Sequence, residues 1–334
     1  LFGLPFSPET AEVVVIPLPW EVTVSYGGGT ALGPRSVLDA SPQIDYFLED
    51  IPEAWKIGVA MTRISGDWAE RSAALRREVK GYLKWLESDP PPGPLPEAHR
   101  GLLMEVEAAS MERDDWLFDQ AGRYLDAGQC VGVLGGDHSS PLGLMRALAA
   151  RHEAFGILQI DAHADLRDAY EGFRYSHASI MSNALELPAV VRQVVVGLRD
   201  YSEEESRRIR TSKGRIRAFT DQTLREGRFA GESWLDQVKG ILDCLPEKVY
   251  ISFDIDGLDP KLCPHTGTPV PGGLEQEEAF YLVKEVVRSG RQIIGFDLCE
   301  VAPGADQWDG NVGARVLYRL ATWAGHQRLQ ARKG

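Results

Sequence analysis

Apolar runs rich in β-branched residues recur along the chain at 11–17, 130–135, 155–161, 190–198, 215–219, 248–254 and 292–299. Several are continuous rather than alternating, as in Ile157-Leu-Gln-Ile160. Strands buried on both faces read this way, so the pattern predicts a parallel sheet between helix layers. Helical patterns fill the gaps, at 141–151, 203–212, 231–245 and 275–289. The alternation predicts an α/β fold of three layers, α/β/α, with a mostly parallel central sheet.

One stretch breaks that rhythm. Leu75, Val79, Tyr82, Leu83 and Leu86 recur at three- and four-residue spacing, which marks an amphipathic helix over 68–87. A proline-rich segment, Asp89-Pro-Pro-Pro-Gly-Pro-Leu-Pro96, must end it. A second long helical pattern runs from Pro96 toward Leu125. Residues 62–100 are therefore expected to form a helical excursion on the surface of one domain spanning 1–334.

Composition narrows the class. With 43% hydrophobic and 25% charged residues in 334, the chain reads as an ordinary globular protein. No run reaches the roughly 20 apolar residues of a membrane helix, and the start lacks the basic region of a signal peptide, so a cytoplasmic protein without membrane contact is expected. The net charge of −13 repels phosphate backbones and argues against nucleic acid as a partner. Cys130, Cys244, Cys263 and Cys299 form no CxxC pair and fit a reducing compartment.

Asp and His concentrate at the ends of three predicted strands, the edge where open α/β sheets bind ligands. The segments are Gly135-Gly-Asp-His-Ser-Ser140, Asp161-Ala-His-Ala-Asp165 and Asp254-Ile-Asp256 with Gly257-Leu-Asp-Pro260 after it. In extended chain, residues i, i+2 and i+4 share a side, so Asp161, His163 and Asp165 can converge, as can Asp254 and Asp256. Carboxylates so close cannot all stay ionised without a cation. A divalent metal relieves the repulsion, and two suit the number of carboxylates, which can bridge. Oxygen-rich ligation with some imidazole favours Mn²⁺ over Zn²⁺. Each segment alone also reads as a capped turn or a solvated loop; the three together, each after a strand, do not.

Taken together these segments resemble the ureohydrolase family: arginases, agmatinases, formiminoglutamases and guanidino-acid amidinohydrolases. Thr266-Gly-Thr-Pro269, Gly272-Gly273 and Gly33-Pro34-Arg35 also fit, and the closest motif match is to agmatinases. The resemblance implies an arginase-like fold and a binuclear Mn²⁺ centre, with Ni²⁺ or another divalent ion possible. It implies His138 and Asp165 as ligands of one ion, His163 and Asp256 as ligands of the other, and Asp161 and Asp254 as bridges. His177 matches the residue that shuttles protons, a task suited to imidazole. Glu300 matches the carboxylate that clamps the guanidinium, whose paired N–H donors it complements. His177, Glu300 and Asp165 make up the catalytic set. The resemblance also implies a homo-oligomer, a trimer or a hexamer.

The expected reaction cleaves a guanidino C–N bond to release urea and an amine, with agmatine giving putrescine. Arg167 stands where arginases carry Asn, which argues against arginine as substrate. Asp168 and Glu171 are candidates to hold a cationic tail, Arg167 an anionic one, and Thr268 a further substrate contact. A guanidino acid, arginine, free guanidine or a formimino compound remain alternative substrates, and a non-catalytic relative a remote one.

Overall fold

The computed structural model describes residues 1–90 and 92–332; Pro91, within the proline-rich segment, and the last two residues lie outside the described set. Among the described residues, eight strands form one sheet: β1 (Val13–Leu18), β2 (Val59–Met61), β3 (Cys130–Gly135), β4 (Phe155–Ile160), β5 (Val190–Leu198), β6 (Ile216–Thr220), β7 (Lys248–Asp254) and β8 (Gln292–Cys299). Their order is β2-β1-β3-β8-β7-β4-β5-β6, and every pairing is parallel. Seven strands fall on the predicted runs; β2 is the addition.

The helices are α1 (Gly33–Ala40), α2 (Gly66–Glu87), α3 (Glu97–Asp126), α4 (Leu142–Ala149), α5 (Ile180–Leu185), α6 (Glu203–Thr211), α7 (Asp221–Phe229), α8 (Trp234–Leu242), α9 (Gln276–Arg288) and α10 (Trp308–Ala331). They cover both faces of the sheet, giving the three-layer α/β/α arrangement. Side chains alternate between the two cores, as strand geometry requires. Leu158 and Ile160 of β4, with Val249, Ile251 and Phe253 of β7, meet Val37, Val238, Leu282 and Leu317 from α1, α8, α9 and α10. Ile157 and Tyr250 point the other way, into Leu75, Val106, Leu117, Leu144 and Met181 from α2 to α5. The continuous apolar runs follow from burial on both sides.

The excursion expected at 62–100 consists of α2 and the start of α3, and it does more than rest on the surface. Ser72, Leu75, Arg76, Val79, Tyr82 and Leu83 of α2 are buried, and its apolar members join the second core. No helix among the described residues is long and apolar enough to cross a membrane. Cys130, Cys263 and Cys299 are buried free thiols.

The topology decides where chemistry can gather. The four central neighbours, β3, β8, β7 and β4, lie far apart in sequence, yet all end on the same edge. Close packing keeps them in register: a Cβ on Gly132 of β3 would lie 2.3 Å from the Phe296 ring of β8.

Candidate metal centre and active site

The turn after β3 presents His138. A Cβ on Gly136 would stand 2.0 Å from the Trp20 carbonyl oxygen, so the chain passes there only without a side chain. Asp137 then caps the turn, accepting the Ser139 N–H at 3.0 Å. The buried Arg113 of α3 donates to the Ser139 hydroxyl and carbonyl oxygens at 2.8 and 2.9 Å. The His138 N–H donates to Glu300 Oε1 at 2.8 Å.

The ring of His138 is set by a buried chain of hydrogen bonds. Ser252 Oγ of β7 donates to Asp297 Oδ2 of β8 at 2.9 Å, and Asp297 also accepts from the Tyr250 hydroxyl at 2.8 Å. With its proton so committed, Ser252 accepts from His138 Nε2 at 2.8 Å. This turns His138 Nδ1 toward the cluster. Facing it are Asp165 Oδ2 at 2.9 Å, Asp161 Oδ2 at 3.1 Å and Asp254 Oδ2 at 3.2 Å. Burial opposes charge on His138, yet Asp161, Asp165 and Asp254 outweigh it and raise this imidazole well above its ordinary value. Three buried carboxylates around one ring nitrogen call for a positive charge between them, so the residues fit a metal ion.

A second group lies beside the first. His163 Nδ1 is 3.0 Å from Asp256 Oδ2 and 3.6 Å from Asp161 Oδ1. Asp256 Oδ2 is buried with no hydrogen-bond partner, while its Oδ1 accepts the Ala162 N–H at 3.0 Å. The ligand atoms of His138, Asp161 and Asp254 lie within 4.8 Å of one another, as do those of Asp161, His163 and Asp256. Asp161 belongs to both groups. Its free geometry is narrow, because Oδ1 accepts the His163 N–H at 2.6 Å and Oδ2 accepts from Gln159 Nε2 at 2.8 Å.

The electrostatics show the strain of carboxylates without a cation. Burial, then the charges of Asp256 and Asp161, push the Asp254 carboxyl well above the usual range. Burial and Asp161 push Asp165 up to about 7. Burial opposes charge on His163, yet Asp256 and Asp161 outweigh it and push this imidazole up to about 12. Protons hold the place a divalent ion fills better. Backbone strain gathers here as well: Asp165 and Glu300 have φ of 53° and 63°. L-residues rarely adopt that conformation, and it persists where surroundings impose it. The Asp165 carbonyl accepts Met181 and Ser182 N–H at 3.1 and 3.2 Å, and the Glu300 carbonyl accepts the Thr266 hydroxyl at 2.8 Å.

Above the two groups opens a cavity of about 420 Å³. Glu300 lies in its wall, and a Cβ on Gly267 would come within 2.9 Å of Oε2, so that glycine clears the carboxylate. Burial, then Asp137, raises Glu300 well above the ordinary range, a penalty that a cationic partner would offset. His177 lines the same cavity; its N–H donates to Thr23 Oγ1 at 3.3 Å. Burial, followed by the charges of His163 and His138, lowers this imidazole to about 3, so it stands neutral. Arg167 and Thr268 reach the cavity, with Arg167 stacked over Tyr170 at 4.7 Å and its Nε 4.0 Å from Glu205 Oε2.

The remaining predicted contacts lie elsewhere. Asp168 is outside the cavity lining, with its side chain 89% exposed and paired to Arg208 at 2.8 Å. Glu171 is also outside the lining, its Oε2 buried without a hydrogen-bond partner and its charge facing Arg76 of α2. In their place the cavity presents Asp200 and Glu205, which sequence reasoning missed. Asp200 follows β5, so the strand-end rule that found the other segments pointed to it. Glu205 hides behind its second task, as the closing residue of the Ser202–Glu205 capping box of α6.

A parallel sheet that gathers two His/Asp groups at one edge, beneath a cavity, is the arrangement of a ureohydrolase, a hydrolase acting on C–N bonds of amidines. The sequence model of the arginase family matches residues 11–322, and the chain belongs to that family, whose members are binuclear metal enzymes. It is 31% identical over 328 residues to an N(1)-aminopropylagmatine ureohydrolase of Thermus thermophilus, covering 98% of this chain and 95% of the relative. It is 28% identical over 302 residues to an agmatinase of Bacillus anthracis, covering 90% and 87%. The fold matches the crystal structure of an agmatine ureohydrolase of Thermoplasma volcanium with a TM-score of 0.72 at 21% identity, over 98% and 94% of the chains.

Proposed function

We propose that the protein binds two Mn²⁺ ions per chain and hydrolyses a guanidine carrying an amine tail, with agmatine giving putrescine and urea as the reference reaction. Aminopropylagmatine, the substrate named for the Thermus relative, carries the same guanidine on a longer cationic tail and belongs to the same class. The observation that carries this reading is His138 Nδ1 among three buried carboxylate oxygens, next to a second such group that shares Asp161. The choice of tail is supported by the cavity wall. Beyond the ligand set and Glu300 it offers Asp200 and Glu205 against one cation, Arg167, which already faces Glu205.

His138, Asp161, Asp165 and Asp254 would hold one ion, and Asp161, His163, Asp254 and Asp256 the other. When bound, the pair supplies Lewis acidity and an activated water as nucleophile. Glu300 orients the guanidinium carbon over that floor through paired N–H contacts. Both protons of the attacking water end on the departing amine nitrogen: Asp165 would take the first and pass it on, and His177, neutral at rest, would relay the second as the C=O of urea forms, so that the C–N bond breaks to neutral urea and an ammonium. Thr268 and Tyr170 complete the walls.

Urea release with Mn²⁺ added, measured for agmatine, aminopropylagmatine, arginine, 4-guanidinobutyrate and free guanidine, tests the reading. The amine-tailed compounds are expected to give the highest kcat/KM. Preference for 4-guanidinobutyrate, whose tail is an anion, would assign the rim to Arg167 and overturn the cationic-tail reading.

A further inference from the structure

Helix α2 carries polar residues on its buried face. Ser72, Arg76 and Tyr82 lie at helical spacing among Leu75, Val79 and Leu83. A buried guanidinium is costly unless its charge and donors are met. Arg76, 6% exposed, has its charge met by the loops that wall the cavity, although its Nε has no hydrogen-bond partner. Its Nη1 donates to the Val22 carbonyl oxygen at 3.4 Å, and the charges facing it belong to Glu21, Asp137 and Glu171, from three separate loops. Ser72 Oγ accepts the Glu21 N–H at 2.9 Å. Further along the same face, the Tyr82 hydroxyl donates to the Glu171 carbonyl at 3.0 Å, and its ring stands edge-on to Phe173 at 5.6 Å. Between these two contacts the chain lies flush against the helices: Gly172 has φ of 88°, and a Cβ there would come within 3.0 Å of Leu103 and 3.2 Å of the Tyr82 hydroxyl.

Both braced loops end on one imidazole. Val22 precedes Thr23, whose Oγ1 accepts the His177 N–H at 3.3 Å and lies 3.4 Å from His177 Nδ1. Tyr170 and Phe173 exchange backbone hydrogen bonds at 3.0 and 2.8 Å, and the Tyr170 ring stands edge-on to His177 at 5.8 Å. Thus α2 grips the backbone on both sides of His177 without needing to touch it.

We propose that α2 is a buttress for the proton-moving imidazole: Arg76 and Tyr82 are positioning residues that set His177 through the Thr23 loop and the Tyr170–Phe173 turn, and so act on turnover rather than on substrate binding. The inference rests on the part assigned to His177 above. It also gives the helical excursion a task.

The test uses the full chain and the variants Arg76→Met, Arg76→Lys, Tyr82→Phe, His177→Ala and the double variant Arg76→Met/His177→Ala. Two readouts are taken: kcat and KM with Mn²⁺ present, and amide hydrogen exchange on every variant. Arg76→Met is expected to lower kcat roughly tenfold or more with KM changed less than about twofold, Arg76→Lys to restore part of it, and Tyr82→Phe to cost about two- to fivefold. In the His177→Ala background, Arg76→Met should add little, since the two act as a unit. Exchange should quicken at 20–27 and 167–177 and stay unchanged in β3, β4, β7 and β8. Additive losses in the double variant, or unchanged exchange in both loops, overturn the proposal. Should Arg76→Met fail to fold, Tyr82→Phe, which removes one oxygen, decides it. If the wild type releases urea from no guanidine, the assigned reaction fails, and the exchange data still decide whether α2 buttresses these loops.

Discussion

At the floor of the cavity, His138, Asp161, Asp254 and Asp256 are at most 3% exposed. They follow the central strands β3, β4 and β7, and hydrogen bonds to Ser252 and from Gln159 and backbone N–H groups fix their orientation. At the rim, Tyr26 is 82% exposed and Asp200 stands in solvent. Those residues come from loops whose side chains meet water. The floor cannot change without disturbing the sheet, whereas the rim can be rebuilt residue by residue. In the proposed function this difference divides the labour: the floor would set the reaction class and the rim the tail of the substrate.

The largest expected effect comes from the imidazole above the floor. His177→Ala should lower kcat by about 10²–10⁴, the usual worth of a positioned proton carrier. Its pH profile sharpens the point. A histidine lowered to about 3 stays neutral as pH falls through the range where free imidazole would charge. His177 protonation therefore does not close the acid limb of kcat/KM, and the midpoint of that limb should be the same in wild type and His177→Ala. A midpoint that moves with the substitution contradicts the neutral resting state. Next, Glu300→Gln should cost about ten- to a hundredfold in kcat/KM for every guanidine alike, since it removes a charged contact to the part all of them share. Selective loss for one tail would move Glu300 from floor to rim.

Asp297→Asn tests the support beneath the floor. It weakens the acceptor for Ser252 and Tyr250 and so loosens the His138 ring. Metal affinity should fall about ten- to a hundredfold, with activity recovering in excess metal. Unchanged affinity would show that the ring needs no such support. The smallest effects belong to the rim. Asp200→Asn should cost agmatine about three- to tenfold in kcat/KM and leave free guanidine unaffected. Asp168→Asn should change either by less than about twofold, because its exposed pair with Arg208 lies outside the cavity. A larger loss at Asp168 than at Asp200 would reverse the placing of the tail.

The same contrast explains what the sequence reveals. The strands β3, β4, β7 and β8 are legible because burial on both faces leaves continuous apolar runs, and the candidate metal ligands follow directly after β3, β4 and β7. Strand β2 is only three residues long and shows no pattern. Helix α10 escapes reading for another reason: Gly310, Val312, Gly313, Ala314, Val316, Leu317, Leu320 and Ala321 are buried in near-continuous sequence, so no polar stripe marks the 3.6-residue period. The tail-binding residues depend on loop paths. Asp168 and Glu171 sit close in sequence to His177, yet the left-handed backbone at Glu171, with φ of 52°, accompanies a side chain outside the cavity lining. Arg76 is invisible as a functional residue because a charged residue on a helix reads as solvated until the loops around it are known.

The metal content of the floor separates the two regions most directly. Elemental analysis after Mn²⁺ loading and dialysis, made on the wild type, Asp161→Asn and Asp200→Asn, compares the shared ligand with a rim carboxylate. The prediction is close to two ions per chain for the wild type and Asp200→Asn, and fewer than one for Asp161→Asn, since Asp161 belongs to both ligand groups. Two ions retained by Asp161→Asn, or none bound by the wild type, would contradict it.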